Sequence, residues 1–440
     1  MKKNVLLVSF DDLLAYWRYR DVFGEPLQVP NLDRLCARAT VFRNAYAQAP
    51  ICGPSRASFM SGLSPATTGI FDNRTSIFDR VPDRALWPFR LKEAGYFNSS
   101  GGKVHHGYGA LRRRHHKTLY HDNQKRFDPD MHFPQGVEKQ KFGGHRGGWA
   151  ATDPADDHRF YDHEVSTSAA TFLAGFDAAQ PFYREVGFYS PHGPFYTPAR
   201  FRELYDPDRF QRPETWDRNG FPDEPFIRDR VPPNPQLEAG NTGWWQQSLR
   251  NYFSAVSHGD YHLGRVLDAL EASPHAGSTL VVVLSDHGYH LGDRNRFSKF
   301  TLFEQSLAVP LIVFDPADPT PRTVDDPVAL LDVGPTILDY AGLAPIEGCD
   351  GRSLLPYLRG AGDPDRAITS FSNDGATVRQ DRHRLIRYHD GSVQLFDVES
   401  DLWQQHDLGR DDPAFAPLDA ELRRVCRAQG FEIGATDGTG

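Results

Sequence analysis

The 440-residue sequence predicts an α/β fold: a large mixed, mostly parallel sheet flanked by helices, with a smaller C-terminal antiparallel-sheet subdomain. Three observations carry this. Short, continuous apolar runs rich in β-branched residues recur as far as Phe314, each ending in polar residues, as strands buried on both faces do. A long amphipathic segment lies between two of them, as a sheet-covering helix would. Beyond about residue 355 the runs become short and alternating, the period-2 pattern of an antiparallel sheet.

Taken in order, the first run is Asn4-Val5-Leu6-Leu7-Val8-Ser9-Phe10, and Phe182 to Tyr189, Ser278 to Ser285 and Val309 to Phe314 repeat its character as buried parallel strands. In the segment Ser248 to Glu271, Leu249, Tyr252, Phe253, Val256, Leu263, Val266, Leu267 and Leu270 recur at helical spacing, so one face of this helix covers the sheet. Pro54 suits a first helical turn and Gly62 a stop, which brackets a short helix with Cys52 at its positive end. Residues 105–164 and 201–243, crowded with Gly, Pro, Arg, His and Asp, read as long excursions of the kind that form functional lids or carry little order. Ile368 to Phe371, Ala376 to Arg379, Arg384 to Tyr388 and Val393 to Phe396 give the small antiparallel sheet, and Pro417 to Ala428 a closing helix. The expected division is a catalytic α/β domain, 1–355, and an α+β subdomain, 356–440.

Composition narrows the partners. Charged residues make up 24% and hydrophobic ones 39%, with 30 Phe, 17 Tyr and 7 Trp, which excludes a disordered chain. A net charge of −9 argues against a chain-wide phosphate-binding surface, so no nucleic acid is expected and any anion site must be local. Cys36, Cys52, Cys349 and Cys426 are spaced neither as a disulfide framework nor as a CxxC zinc site, which points to a reducing compartment. The apolar run Val5 to Val8 is cut short by Asp11 and Asp12, and no stretch approaches the roughly 18 apolar residues of a membrane span. A cytoplasmic location without a membrane partner is the expectation. A loop-rich surface with exposed aromatics leaves a homo-oligomer open.

In open parallel sheets ligands sit beyond the carboxyl ends of the strands. Three apolar runs end in chemistry: Asp11-Asp12, Ser190-Pro191-His192 and Asp286-His287-Gly288. An aspartate after a strand is commonly a turn or cap residue and a lone histidine commonly structural, but recurrence at several strand ends shifts the balance. Paired carboxylates with an imidazole suit a divalent cation, Ca²⁺ or Mg²⁺ before a thiolate-seeking metal. Cys52, at a helix N-terminus, is either an activated nucleophile or a small buried apolar side chain.

Cys52-Gly53-Pro54-Ser55-Arg56 matches the C-x-P-S-R signature of type I sulfatases in the alkaline phosphatase superfamily. The resemblance runs through Pro30-Asn31-Leu32-Asp33-Arg34-Leu35, Gly102-Lys103-Val104, Ser190-Pro191-His192 and Ser285-Asp286-His287-Gly288 to Leu395-Phe396-Asp397-Val398. Within the family the chain most resembles the iduronate-2-sulfatase-like branch, which His287 after Asp286 fits. The resemblance implies that Cys52 is oxidised to formylglycine (3-oxoalanine) by a formylglycine-generating enzyme. It implies Asp11, Asp12, Asp286 and His287 as metal ligands completed by residue 52, with Ca²⁺ as the ion and Mg²⁺ or Mn²⁺ as substitutes. Arg56 resembles the residue that holds the formylglycine hydroxyls. Lys103 and His106 match a K-x-x-H pair, with His105 beside it, His192 the histidine of an x-P-H element, and Lys299 the second sulfate-binding lysine. The branch often carries Lys where this chain has Ser190.

The implied reaction is hydrolysis of a small anionic sulfate monoester, of a sulfated sugar or of an alkyl or choline-type alcohol, by a sulfuric ester hydrolase. One hydroxyl of the hydrated aldehyde attacks sulfur, His192 protonates the leaving alcohol, and His106 deprotonates the remaining hydroxyl to expel sulfate. Lys103, Lys299, Arg56 and the metal supply the positive charge that an anionic ester requires. The alternatives are a phosphonate monoester hydrolase or phosphodiesterase of the same superfamily and, in another class, a non-catalytic anion-binding protein with unmodified Cys52. The run Arg112-Arg113-Arg114-His115-His116 reads first as a solvated basic loop and second as a clamp for a carboxylate or second sulfate. His290, Arg294 and Asn295 are candidates for the pocket wall.

Overall fold

The computed structural model describes residues 3–107, 111–122, 136–222 and 225–434. Its strands, in chain order, are β1 (Asn4–Phe10), β2 (Thr40–Tyr46), β3 (Phe97–Gly102), β4 (Lys139–Lys141), β5 (Trp149–Ala151), β6 (Phe182–Gly187), β7 (Tyr196–Pro198), β8 (Thr279–Ser285), β9 (Ala308–Phe314), β10 (Arg322–Val324), β11 (Val328–Ala329), β12 (Ala367–Ser372), β13 (Gly375–Gln380), β14 (His383–Tyr388) and β15 (Val393–Asp397). Eight of them form the main sheet, in the order β10-β2-β9-β8-β1-β6-β3, with β11 also paired to β2.

β1 lies inside this sheet, parallel to β8 on one side and β6 on the other, and all seven of its residues are buried. Its side chains divide by the strand period of two. Leu6, Val8 and Phe10 pack with Leu249, Tyr252, Phe253, Val256 and Leu263, whereas Val5 and Leu7 pack with Phe59, Met60, Trp87 and Ile337. Helices therefore cover both faces, which is why the strand reads as one apolar run. The covering helix on the first face spans Thr242–Glu271, starting earlier than the apolar stripe alone suggests because the Asn241 side chain caps it, accepting from Trp244 N at 2.9 Å.

β9 pairs antiparallel with both β8 and β2 and so runs against the rest of the sheet. This corrects the expectation of a parallel strand at Val309 to Phe314: an apolar run records burial on two faces, not direction. β2 and the edge strand β3 join the sheet without such runs. In β3 the buried Asn98 donates its amide to the carbonyls of Pro88 (2.7 Å) and Leu119 (2.9 Å), so polar pairing replaces apolar packing.

The excursions are partly ordered. β4 and β5 of the first join β7, which lies between the two, in a three-stranded sheet, and short helices occupy Arg113–Leu119, Glu214–Asn219, Pro225–Arg230 and Pro235–Glu238. Residues 108–110, 123–135 and 223–224 of the two predicted excursions lie outside the described residues.

The C-terminal strands form an antiparallel sheet in the order β12-β13-β14-β15. Phe371, Val378, Leu385 and Leu395 face the Phe415–Ala428 helix through Leu418, Leu422 and Cys426. Ile368, Ile386, Tyr388 and Phe396 face Tyr46, Phe303 and Leu307 of the main body. Among the described residues the exposed large hydrophobics are Leu204, Tyr261 and Phe300, so the expected surface of many exposed aromatics is not found; the rings of Phe23, Trp216, Trp245 and Trp403 instead pack on one another inside. No helix among the described residues is long and apolar enough to cross a membrane.

Candidate active site

Four adjacent parallel strands, in the order β8-β1-β6-β3, end at one edge of the sheet, and the residues that follow them are those singled out by the sequence. β8 leads to Asp286 and His287, β1 to Asp11 and Asp12, β6 to the turn bearing His192, and β3 to Lys103. The end of β3 closes tightly on β6. Lys103 N donates to Gly187 O at 2.9 Å, and a Cβ at Gly187 would stand 2.2 Å from the Lys103 backbone, so only glycine permits the approach.

The Cys52–Ser61 helix, buried at every residue, starts at this edge and stops at Gly62, which takes the left-handed conformation (φ 75°) as expected of a C-terminal glycine. Cys52 Sγ lies 3.1 Å from His287 Nε2, 3.3 Å from Lys299 Nζ and 3.5 Å from Asp11 Oδ1. Lys299 Nζ is 2.5 Å from Asp12 Oδ1, and Lys103 Nζ pairs with Asp11 Oδ2. Arg56 Nε donates to Asp286 Oδ2 (2.8 Å), while its Nη1 reaches the carbonyls of Lys103 (2.6 Å) and Val104 (3.0 Å) and its Nη2 that of Phe10 (3.3 Å). One guanidinium thus ties the ends of β1, β3 and β8 together.

One donor atom each from Asp11, Cys52, Asp286 and His287 lie within 4.8 Å of one another, and the same holds for Asp11, Asp12, Cys52 and His192. The two groups share Asp11 and Cys52, so all five residues expected to hold a metal are brought together. The donor set fits a hard cation. Three carboxylates are at most 2% exposed. His287 Nδ1 bonds Gly288 O at 2.9 Å, which leaves Nε2 as the lone-pair atom facing Asp12 Oδ1 at 3.3 Å. Burial pushes the Asp12 carboxyl up, with Lys299 and His287 opposing and the charges of Asp11 and Asp286 adding to the rise. Asp11 behaves oppositely: burial raises it, but Lys103, His192, Arg56 and Lys299 together hold it well below the usual range. The Cys52 thiol is pushed up by burial and then by Asp11, so as a thiol it stays protonated.

His105 and His106 separate cleanly. His105 is buried, with Nε2 bonded to Tyr120 OH (2.7 Å), which donates to Glu185 Oε2 (2.8 Å). His106 is exposed on the wall of a cavity beside Arg56; the protein mass around it, then Lys103 and Arg56, lower its pKa to about 4, so it is neutral and able to take a proton. His192 is pushed well below its ordinary range by burial, with Asp11 opposing.

Other expectations change. His290 is buried with Nδ1 on Asp293 Oδ2 and Nε2 on Thr301 Oγ1, both 2.6 Å, and Arg294 is buried over the Phe303 ring, 3.6 Å from its centroid, with Asn295 next to it at φ 53°. His290 and Arg294, both buried, brace the loop before Lys299. In the basic run, Arg112, Arg113 and Arg114 are exposed as the solvated reading expects, but the run from Arg113 is helical and His115 and His116 are buried. Two supporting residues carried no sequence signal: Asp162, whose carboxylate accepts from Tyr189 N (2.6 Å) and Ser190 N (3.0 Å) and so fixes the turn to His192, and Asn73, whose Oδ1 accepts from Gly53 N (2.7 Å). Arg146, on the Gly-rich segment 143–148, carries its charge toward His192 and Tyr289.

A family profile described as sulfatase matches residues 3–343, more than half of the chain. The chain belongs to the sulfatase family. A second profile, N-sulphoglucosamine sulphohydrolase, C-terminal, covers residues 292–429 of this sulfatase. It is 34% identical to a sulfatase of Formosa agariphila over 91% of this chain and 82% of the relative. It is 27% identical to the choline-sulfatase of Rhizobium meliloti, over 91% of this chain and 81% of that one. Among solved structures it shares its fold with the phosphonate monoester hydrolase of Silicibacter pomeroyi (TM-score 0.75, 22% identity, 98% and 95% of the two chains) and with a 2-O GAG sulfatase (TM-score 0.70, 21% identity, 100% and 99%).

Proposed function

We propose that this sulfatase, a sulfuric ester hydrolase, cleaves the sulfate monoester of a sugar or small alcohol with residue 52 as formylglycine and a divalent cation, Ca²⁺ in the first place, held by Asp11, Asp12, Asp286, His287 and residue 52. The observation that carries the reading is the convergence of these residues, from positions 11 to 287, on Cys52 Sγ with Lys299 Nζ 3.3 Å away. Cys52-Gly53-Pro54-Ser55-Arg56 is the segment a formylglycine-generating enzyme would read. When present, the cation would add positive charge beside the sulfate and the hydrated aldehyde would supply the hydroxyl that attacks sulfur.

The chain's own groups do the rest. Lys103 and Lys299, held on Asp11 and Asp12, present ammonium groups to the sulfate oxygens, where charge builds as the ester cleaves. Arg56 keeps the strand ends in register, so that positioning survives substrate entry. His192 is the donor to the leaving alcohol. A bound sulfate adds negative charge beside it, acting as Asp11 does, and so favours its protonated form. His106, neutral, takes the proton on the return step.

The test is turnover of 4-nitrophenyl sulfate against a 4-nitrophenyl phosphonate ester by protein made together with a formylglycine-generating enzyme. Higher kcat/KM on the sulfate is expected; higher kcat/KM on the phosphorus ester would overturn the assignment.

A further inference from the structure

Two buried histidines outside the catalytic centre, His258 and His262, lie one turn apart on the Thr242–Glu271 helix, packed among the rings of Phe160, Phe188 and Phe201. Burial lowers His258 to about 3, with Arg200 and His163 adding to the fall; burial, then His258 and Arg265, holds His262 well below its ordinary range. Both imidazoles are therefore neutral at neutral pH, each with one N–H and one bare nitrogen. Their Nε2 atoms face each other at 3.0 Å, so one donates and the other accepts. At the outer ends, His258 Nδ1 meets Ser190 Oγ at 3.4 Å and His262 Nδ1 meets Ser166 Oγ at 3.0 Å.

The groups beyond these hydroxyls set the direction. Ionised Asp162 can only accept: it takes the N–H groups of Tyr189 and Ser190, and the Ser190 hydroxyl is first among the hydrogen bonds opposing the burial that raises its carboxyl to about 6. Arg265 can only donate, and its Nη1 reaches Ser166 Oγ at 2.5 Å and the His163 carbonyl at 3.2 Å. With its own proton turned to Asp162, Ser190 Oγ takes one from His258 Nδ1. His258 Nε2 is then bare and accepts from His262 Nε2, and His262 Nδ1 accepts from Ser166. Arg265, Ser166, His262, His258, Ser190 and Asp162 thus form one chain of donors running a single way from a cation to an anion. Its end lies at the turn that carries His192, whose N donates to Tyr189 O at 2.9 Å and whose Nδ1 is 3.4 Å from Tyr189 OH. The helix crosses this turn so closely that a Cβ at Gly259 would stand 3.0 Å from Ser190 Cβ.

We propose that His258 and His262 are positioning residues for the leaving-group acid: by fixing the Ser190 hydroxyl against Asp162 they hold the turn that aims His192 at the ester oxygen. Neither touches the substrate, so their effect passes through His192. This inference rests on the reading of His192 as donor to the leaving alcohol and adds what keeps it in place.

The test uses formylglycine-bearing protein with phenyl sulfate, whose leaving group gains much from a proton, and 4-nitrophenyl sulfate, whose leaving group gains little. His258→Phe keeps a ring and removes both hydrogen bonds. It should lower kcat on phenyl sulfate about tenfold with KM little changed, and by a clearly smaller factor on 4-nitrophenyl sulfate. His262→Phe, one link further away, should show the same selective loss in smaller measure, and His258→Asn, which returns a donor near the place of Nδ1, should recover most of it. Introduced into His192→Asn, His258→Phe should cost nothing more on phenyl sulfate, because the group it positions is gone. Equal losses on the two esters, no loss in either phenylalanine variant, or the same factor lost again in His192→Asn would overturn the positioning role while leaving the sulfatase reading intact. Wild type that hydrolyses neither ester would overturn both.

Discussion

Glu304 is fully buried between the main body and the C-terminal sheet, and its carboxylate gathers three guanidinium groups: Arg384 at 2.7 Å, Arg18 at 3.0 Å and Arg379 at 3.5 Å, with Tyr46 OH at 3.2 Å. Burial alone would raise its pKa; Arg384, Arg18 and Arg379 overcome that and bring it from 4.5 down to about 2. A depression of that size corresponds to about 3 kcal/mol of stability carried by the ionised form. Because the folded pKa is the lower one, this contribution is complete above the unfolded value near 4.5 and is lost as pH falls from there toward 2. Glu304→Gln removes the charge and leaves Arg379 and Arg384, at most 1% exposed, without their anion. A cost of about 3–5 kcal/mol at pH 7 is expected, measured by urea denaturation with intrinsic fluorescence. The difference between the two proteins should shrink as pH drops below 4.5. A variant as stable as wild type at pH 7, or a difference that does not change between pH 7 and pH 3, would refute the reasoning.

Removing the His192 imidazole tests its role as acid: His192→Asn should lower kcat on a sugar sulfate about 10²–10⁴-fold and markedly less on 4-nitrophenyl sulfate, whose leaving group needs little protonation, and equal losses would contradict it. Exhaustive chelation should abolish activity and added Ca²⁺ restore it; activity that survives chelation would contradict the ligand set. Asp286→Asn, which takes the anion from Arg56 while leaving an Oδ1 acceptor for the Asp12 and His287 N–H groups, should weaken Ca²⁺ binding by calorimetry at least tenfold and lower the melting temperature; unchanged Ca²⁺ affinity would remove Asp286 from the site.

What the sequence made legible follows from what physical pattern each part carries. β1, β6, β8 and β9 were visible because burial on both faces forces a continuous apolar run, and the same fact hid the reversed direction of β9. β3, Phe97–Gly102, escaped notice because an edge strand can satisfy Asn98 and Ser99 by hydrogen bonds instead of apolar contact. Asp11, Asp12, Asp286 and His287 stood out as polar residues ending apolar runs, and their meeting at Cys52 follows from the adjacency of β1 and β8. Lys103 and Lys299 were visible only through motifs, since a single lysine has no local signature. Asp162 and Asn73 were not legible at all, because each acts by holding a backbone N–H of a segment remote in the chain. The basic run 112–116 reads as a solvated loop; its arginines are exposed, and the helix and the burial of His115 carry no local signal because the stacking on Phe78 is a tertiary contact.

The central claim, that Cys52 is the precursor of the nucleophile, is tested most directly by mass spectrometry of the peptide containing residue 52, read beside specific activity across preparations made with and without a formylglycine-generating enzyme. The mass of the aldehyde or its hydrate should appear, and sulfatase turnover should rise in proportion to its fraction. Full turnover from protein in which residue 52 remains entirely a thiol would contradict it.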